Sequence, residues 1–225
     1  LGQCRATLAR LLPRAALIAE SSTAAAAGRA AQDPGTAAIA SDAAAKAEVE
    51  LSVRRCFYYA AQADKFDGAV HATKSAHVTL AMPEPFGVMG IVCPNTAPLL
   101  GFVSLVLPAI AMGNRVVALA SQNQPLAVTD LYQVFDTSDL PGGVVNILTG
   151  PRDDMAKTLA DHDDVAALWY AGSAEGARLM EIASAGNLKV TWGLPPRDWA
   201  SAAGQGREYL RRATQVKNIW VPYGE

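Results

Sequence analysis

Histidine and cysteine are scarce in this chain, with three of each among 225 residues. Cys4, Cys56 and Cys93 are odd in number and widely spaced, which excludes a disulfide framework and a zinc knuckle. His71, His77 and His162 show no ligand spacing, so no metal centre is expected. Excess charge of one sign is also missing. A net charge of −2 lacks the electrostatic footprint of a nucleic-acid binder. Neither a Gly-x-Gly-x-x-Gly turn nor a Walker phosphate loop occurs. The chain begins at Leu1 without Met and shows no charged-then-apolar leader, so the expectation is a piece of a longer, non-secreted protein. Unpaired thiols then point to a reducing, cytoplasmic compartment.

Apolar residues are plentiful, at 51% against 18% charged, enough to build a core and to argue against disorder. From Pro85 to Asn114 no residue is charged, a run longer than the ~20 residues that span a bilayer. Pro85, Gly87, Gly90, Pro94, Asn95, Pro98, Gly101 and Pro108 interrupt it, however. A turn of that composition inside hydrocarbon would leave backbone groups unpaired, so no membrane contact is expected. The run reads instead as a buried strand, a turn and a buried helix.

The first fifty residues contain 18 alanines. Leu8, Leu11, Leu12, Ala15 and Ile18 recur at helical spacing. Ser41 or Asp42 can cap a second helix running to about Asp64, with Val49, Val53, Cys56, Phe57 and Ala60 as its inward stripe. Gly68–Met82 reads as two strands around a Lys-Ser-Ala turn. After Pro85 strands and helices alternate. The strands are Gly87–Cys93, Arg115–Ala120, Val144–Leu148, Ala166–Tyr170 and Leu188–Trp192, and helices begin near Pro98, Pro125, Asp153 and Ala174. Continuous apolar strands alternating with helices imply a parallel sheet covered on both faces, a Rossmann-like doubly wound α/β fold. After Trp192 come a break at Gly193-Leu194-Pro195-Pro196, a short helix Arg207–Ala213 and a last strand Gln215–Val221. The expected organisation is an N-terminal helical part (1–67), a hairpin (68–84), an α/β core (85–192), and a linker, short helix and terminal strand (193–225).

Ligands of such sheets bind beyond the carboxyl ends of the strands. A site is therefore expected among the loops Cys93–Pro98, Ala120–Gln124, Gly150–Arg152 and Ala171–Gly176. Cys93 stands at a strand end where a nucleophile could be exposed, but no His or acid lies near it in sequence, and a buried thiol is the commoner case. Gly172-Ser173-Ala174-Glu175 opens a helix whose free N–H groups suit an anion, and Ser173 as a simple N-cap explains the same residues. Asp153, Asp154, Asp161, Asp163 and Asp164 bracket a helix and read as a solvated, cap-forming face.

Four ordered blocks, Glu84-Pro85-Phe86-Gly87-Val88-Met89-Gly90-Ile91-Val92-Cys93-Pro94 with Ala97-Pro98-Leu99-Leu100, then Pro108–Val117, Leu140–Gly150 and Gly172–Glu175, resemble the aldehyde dehydrogenase superfamily. The resemblance implies a cofactor-domain fold and NAD or NADP chemistry in a parent protein. It also implies roles that this chain has lost. Thr96 stands where the family's Asn donates to the oxyanion, with Asn95 displaced by one position. Gly193 stands where its Glu acts as general base. Of the ribose- and phosphate-holding positions only Ser121, Gly172 and Ser173 persist as vestigial cofactor contacts, Leu119 and Gln122 replacing a Lys and a Glu. The family's nucleophilic Cys belongs to a separate domain between that Glu and the terminal strand, and only Leu194–Gln215 fills that interval here, too little for a domain of at least ~50 residues.

The closest likeness is to the truncated, non-catalytic second module of the two-module family 16 enzymes. The expectation is a structural pseudo-domain with no catalytic residues of its own and no tightly bound cofactor. It would pair with another aldehyde dehydrogenase-like module, of the same or a second chain, through the hairpin 68–84 and the strand 215–221. Two alternatives stand beside it. One is an NAD(P)-binding portion of an active enzyme whose thiol comes from another segment or subunit. The other is a regulatory module that binds a nucleotide or metabolite.

Overall fold

In the computed structural model, which describes residues 42–74 and 76–223, the uncharged run resolves as its punctuation demands. Strand β3 (Val88–Val92) is followed by a turn and helix α2 (Pro98–Ala111). Among the described residues no helix is long and apolar enough to cross a membrane. The helix expected around Leu8–Ile18 lies outside the described residues. The chain divides into two units, Leu1–Ala44 and Ala45–Glu225, and all but the first turn of the elements here belong to the second.

Helix α1 (Asp42–Gln62) is followed by the hairpin β1 (Ala69–Ala72) and β2 (His77–Pro85), and then by β3 and α2. Next come β4 (Arg115–Leu119), the short helices α3 (Leu126–Thr129) and α4 (Leu131–Asp136), and β5 (Val145–Leu148). Helix α5 (Arg152–Asp161), β6 (Ala167–Ala171), α6 (Ala174–Ala183) and β7 (Val190–Leu194) complete the α/β alternation. Helix α7 (Arg207–Arg212) and β8 (Thr214–Pro222) end it. Strands β5-β4-β3-β6-β7 form one parallel sheet. Strands β1-β2-β8 form a separate antiparallel one, with His77 opposite Pro222 at one end of the β2–β8 pair and Pro85 opposite Thr214 at the other.

The period-2 geometry of a strand assigns consecutive side chains to opposite faces. Met89, Ile91 and Cys93 with Trp169 join α2 in one core, while Val92, Leu168 and Tyr170 join the buried residues of α5 and α6 in the other. Both faces of the inner strands β3 and β6 are covered, which is why they read as unbroken apolar runs, while β5 at the sheet edge alternates buried and exposed residues.

Two expectations need correction. Gly193 and Leu194 do not break the chain after Trp192; they are the end of β7, Gly193 lying opposite Tyr170 of β6. A Cβ at Gly193 would stand only 2.8 Å from the Cβ of Ala177, so glycine lets α6 approach the strand. The inward stripe of α1 is also reversed. Val49, Val53 and Phe57 are 49%, 48% and 74% exposed, and Ser52, Arg55 and Tyr59 are the buried residues. Polar bonds select that face. Glu48 Oε1 accepts from the N–H groups of Leu99 and Leu100, closing the open amino end of α2. Arg55 donates to Ser104 Oγ of α2 and to the carbonyl oxygens of Gly204 and Trp199 in the β7–β8 connection.

Arg55→Met keeps the length of the side chain but strands the buried carbonyls of Gly204 and Trp199, while the Ser104 hydroxyl keeps its bond to Leu100 O. It is expected to destabilise the fold by about 2–4 kcal/mol. The check is a shift of the urea midpoint at unchanged slope; a loss under about 0.5 kcal/mol would show that water replaces the guanidinium at no cost.

Candidate functional site

The chain leaves β3 for α2 and β4 on one side, and reaches β6 through α5 on the other. β3 and β6 are therefore neighbours whose following loops diverge, and the crevice of a doubly wound sheet opens at such a point. The four loops expected to form a site do converge there. Asn95 Oδ1 accepts from Gln122 N at 3.0 Å and from Ser121 Oγ at 3.3 Å, tying the loop after β3 to the loop after β4. Gln122 Oε1 in turn accepts from Arg152 N at 3.0 Å, which brings in the first residue of α5.

Arg152 then spans the crevice. Its Nη1 donates to the carbonyl oxygens of Cys93, the residue just after β3, and of Ala171, the last residue of β6, both at 3.3 Å. Its Nη2 donates to Tyr170 Oη at 2.9 Å, and the guanidinium carbon lies 5.1 Å from the centre of the Tyr170 ring. Tyr170 Oη donates onward to Asp153 Oδ1 at 3.1 Å, which also lies 3.5 Å from Arg152 Nε. Only 10% of the Arg152 side chain remains exposed.

The positions singled out from sequence fall around this network and not within one reactive centre. Thr96 is exposed in the loop before α2. Gly193 sits in β7, on the far side of β6 from that loop. Ser121 is fully buried, donating to Asn95 and accepting from Gln124 N. Leu119 is buried in the core beside α5. Gly172 is placed against Arg152 and Tyr170: a Cβ there would collide with Nη2 and with the phenol ring, and one at Gly176 would strike Tyr170 Oη. Ser173 caps α6, its hydroxyl accepting from Gly176 N at 3.0 Å. The N–H of Gly172 donates to Leu194 O at 3.2 Å. Two of the backbone donors that could face an anion are thus spent within the protein.

Tyr170 was not singled out by sequence reasoning, Arg152 entered only as the end of an expected site loop, and Asp153 was read as a solvated capping acid. The available signal was an arginine at the first position of a helix leaving the carboxyl end of a sheet strand. Cys93 is fully buried, and desolvation pushes its thiol up to about 12 despite the nearby Arg152 charge, which favours the thiolate. A neutral, inaccessible thiol is no nucleophile. Among the described residues no group of three or more His, Cys, Asp or Glu could hold a metal ion.

Iodoacetamide at pH 8 is expected to alkylate the exposed Cys56 and to leave Cys93 untouched until the chain is unfolded. Peptide mass spectrometry after timed labelling checks this, and labelling of Cys93 in the folded chain at the rate of Cys56 would contradict the burial argument.

The family model described as the aldehyde dehydrogenase family matches residues 9–194. The mitochondrial benzaldehyde dehydrogenase of Antirrhinum majus is 36% identical over 146 residues, covering 64% of this chain and 27% of that enzyme. The crystal structure of PnpE from Pseudomonas sp. WBC-3 superposes with a TM-score of 0.60 at 30% identity, covering 64% of this chain and 30% of PnpE. PnpE in complex with nicotinamide adenine dinucleotide superposes at 0.62 with 29% identity, covering 65% and 30%. The chain spans less than a third of the length of these relatives.

Proposed function

This chain belongs to the aldehyde dehydrogenase family, and we propose that it serves as a non-catalytic structural module of a larger protein of that family, of the kind found as the shortened second module in family 16. One observation carries the reading. Between β7 and β8, where the family's nucleophile domain would be housed, residues 195–213 supply only a single-turn 3-10 helix (Ala202–Gly204) and α7. That interval is far below the ~50 residues of the smallest domains. The buried Cys93 offers no substitute, and Gly193, packed on Ala177, has no side chain to move a proton.

The parent's cofactor in this reading is NAD or NADP, as the complex of PnpE suggests. The residues present in this chain do not fit it. The crevice at the sheet's carboxyl edge is filled by Arg152 and Tyr170, and Leu119 presents no donor there. A second reading, in which the chain holds NAD(P) for a thiol supplied elsewhere, draws support from the preserved sheet and from the PnpE complex. Titration separates the two. On the structural reading, NAD and NADP give no saturable heat up to millimolar concentration, and short aldehydes with either cofactor give no turnover above the buffer blank. Turnover by this chain would overturn it.

The module's retained task is assembly with another aldehyde dehydrogenase-like module, through the sheet β1-β2-β8. Among the described residues strand β8 pairs with β2 on one side only, so its other edge is open to a further strand. Val216 and Trp220, on one face of β8, are 64% and 72% exposed, an apolar edge that requires a cover. A second module's sheet edge supplies matching backbone donors and acceptors. Val216→Lys with Trp220→Lys is expected to lower the assembly mass in light scattering, with the circular dichroism spectrum unchanged. An unchanged mass rejects the assembly role.

A further inference from the structure

We infer that Arg152 is a built-in plug of the sheet's ligand crevice, holding closed a site that would otherwise take the phosphates of a nucleoside diphosphate. The inference rests on the reading that this module is structural. It deepens that reading by locating the block in one side chain.

An arginine in a phosphate site presents its guanidinium fork outward to the anion. Arg152 does the reverse. Nη1 is turned onto the carbonyls of Cys93 and Ala171, Nη2 onto the Tyr170 hydroxyl, and Nε toward Asp153. Each direction of the fork is thus spent on the protein's own oxygens. The two carbonyls belong to the strand edges on either side of the divergence point, so the guanidinium occupies the mouth where a ligand would enter. Tyr170 fills the space beneath. Its ring supports the guanidinium at 5.1 Å and its hydroxyl passes the bond on to Asp153. The turn that opens α6 lies directly on this pair, because Gly172 and Gly176 have no Cβ to hold it off. The glycines that elsewhere would let a backbone approach a pyrophosphate here let it approach Arg152 and Tyr170.

Removing the plug should restore access without altering the sheet, since α5 begins at a surface loop and Arg152 bonds only through its side chain to β3 and β6. The test is isothermal titration of the whole chain with ADP and with NAD, comparing wild type, Arg152→Ala and Tyr170→Phe. The last variant keeps the ring but deletes the oxygen that anchors Nη2. Arg152→Ala is expected to bind ADP at least about tenfold more tightly than wild type, and Tyr170→Phe about threefold. Thermal unfolding reports whether each variant is folded. If Arg152→Ala does not fold, Tyr170→Phe decides. A folded variant that binds no better than wild type overturns the plug, as does wild-type binding equal to that of Arg152→Ala. Aldehyde turnover, measured on the same samples, bears separately on the structural reading: turnover by wild type would overturn that reading whatever the variants bind.

Discussion

Arg55 brings a guanidinium into the core between α1 and α2, 3% exposed, and its acceptors there are neutral oxygens of Ser104, Gly204 and Trp199. Desolvation lowers its pKa from the usual arginine range, which is the physical measure of what burying the charge costs. Three parts of the chain meet at this one group. It turns the polar face of α1 inward, fastens α1 to α2, and holds the β7–β8 connection over the same helix. That connection holds only a single 3-10 turn and α7, so its path depends on a few anchors. Trp199 and Tyr209 are buried along it, and Tyr209 packs edge-on to Trp169 of β6 and Trp192 of β7. The short path is thus anchored to the sheet by aromatic packing and to the helices by one cation.

With the bridge in place, β8 returns to β2 and completes the small antiparallel sheet, while the parallel sheet keeps helices on both faces. The two halves of the molecule then have different fates. The parallel sheet is a finished object, with its crevice bridged by Arg152 and its loop donors spent on Asn95, Ser173 and Leu194. Among the described residues the antiparallel sheet leaves the second edge of β8 without a strand beside it, and Val216 and Trp220 are exposed. The proposed assembly role rests on that edge.

The contacts at the carboxyl edge of the sheet are mutually consistent. The Arg152 guanidinium finds three acceptors there, in the carbonyls of Cys93 and Ala171 and the Tyr170 hydroxyl, and the Tyr170 ring packs against it. Leu119 joins the core beside α5. Each of these side chains is satisfied within the protein, which stabilises the fold at that edge.

Much of this architecture was legible in the linear chain. Unbroken apolar strands alternating with helices specify a two-sided parallel sheet, because only burial on both faces tolerates them, and the loops at its carboxyl edge follow from that topology. Gly172-Ser173 was legible as a helix start for the same local reason. What escaped was everything decided by polar partners far apart in sequence. The spacing of Val49, Val53 and Phe57 is as helical as that of Ser52, Arg55 and Tyr59, and the second set is selected by partners as distant as Gly204, 149 residues from Arg55. Gly193 reads locally as a break, and only the approach of Ala177 shows why a strand needs a glycine there. Arg152 is an ordinary first residue of a helix until the fold sets the carbonyls of Cys93 and Ala171 side by side. The sequence by itself determined which segments alternate as strands and helices in a buried parallel sheet, since that is written in local periodicity, while the order in which the strands pair came from the tertiary structure. Which face of α1 turns inward, and what fills the crevice, were decided only by the tertiary structure, because hydrogen bonds across the fold leave no periodic trace.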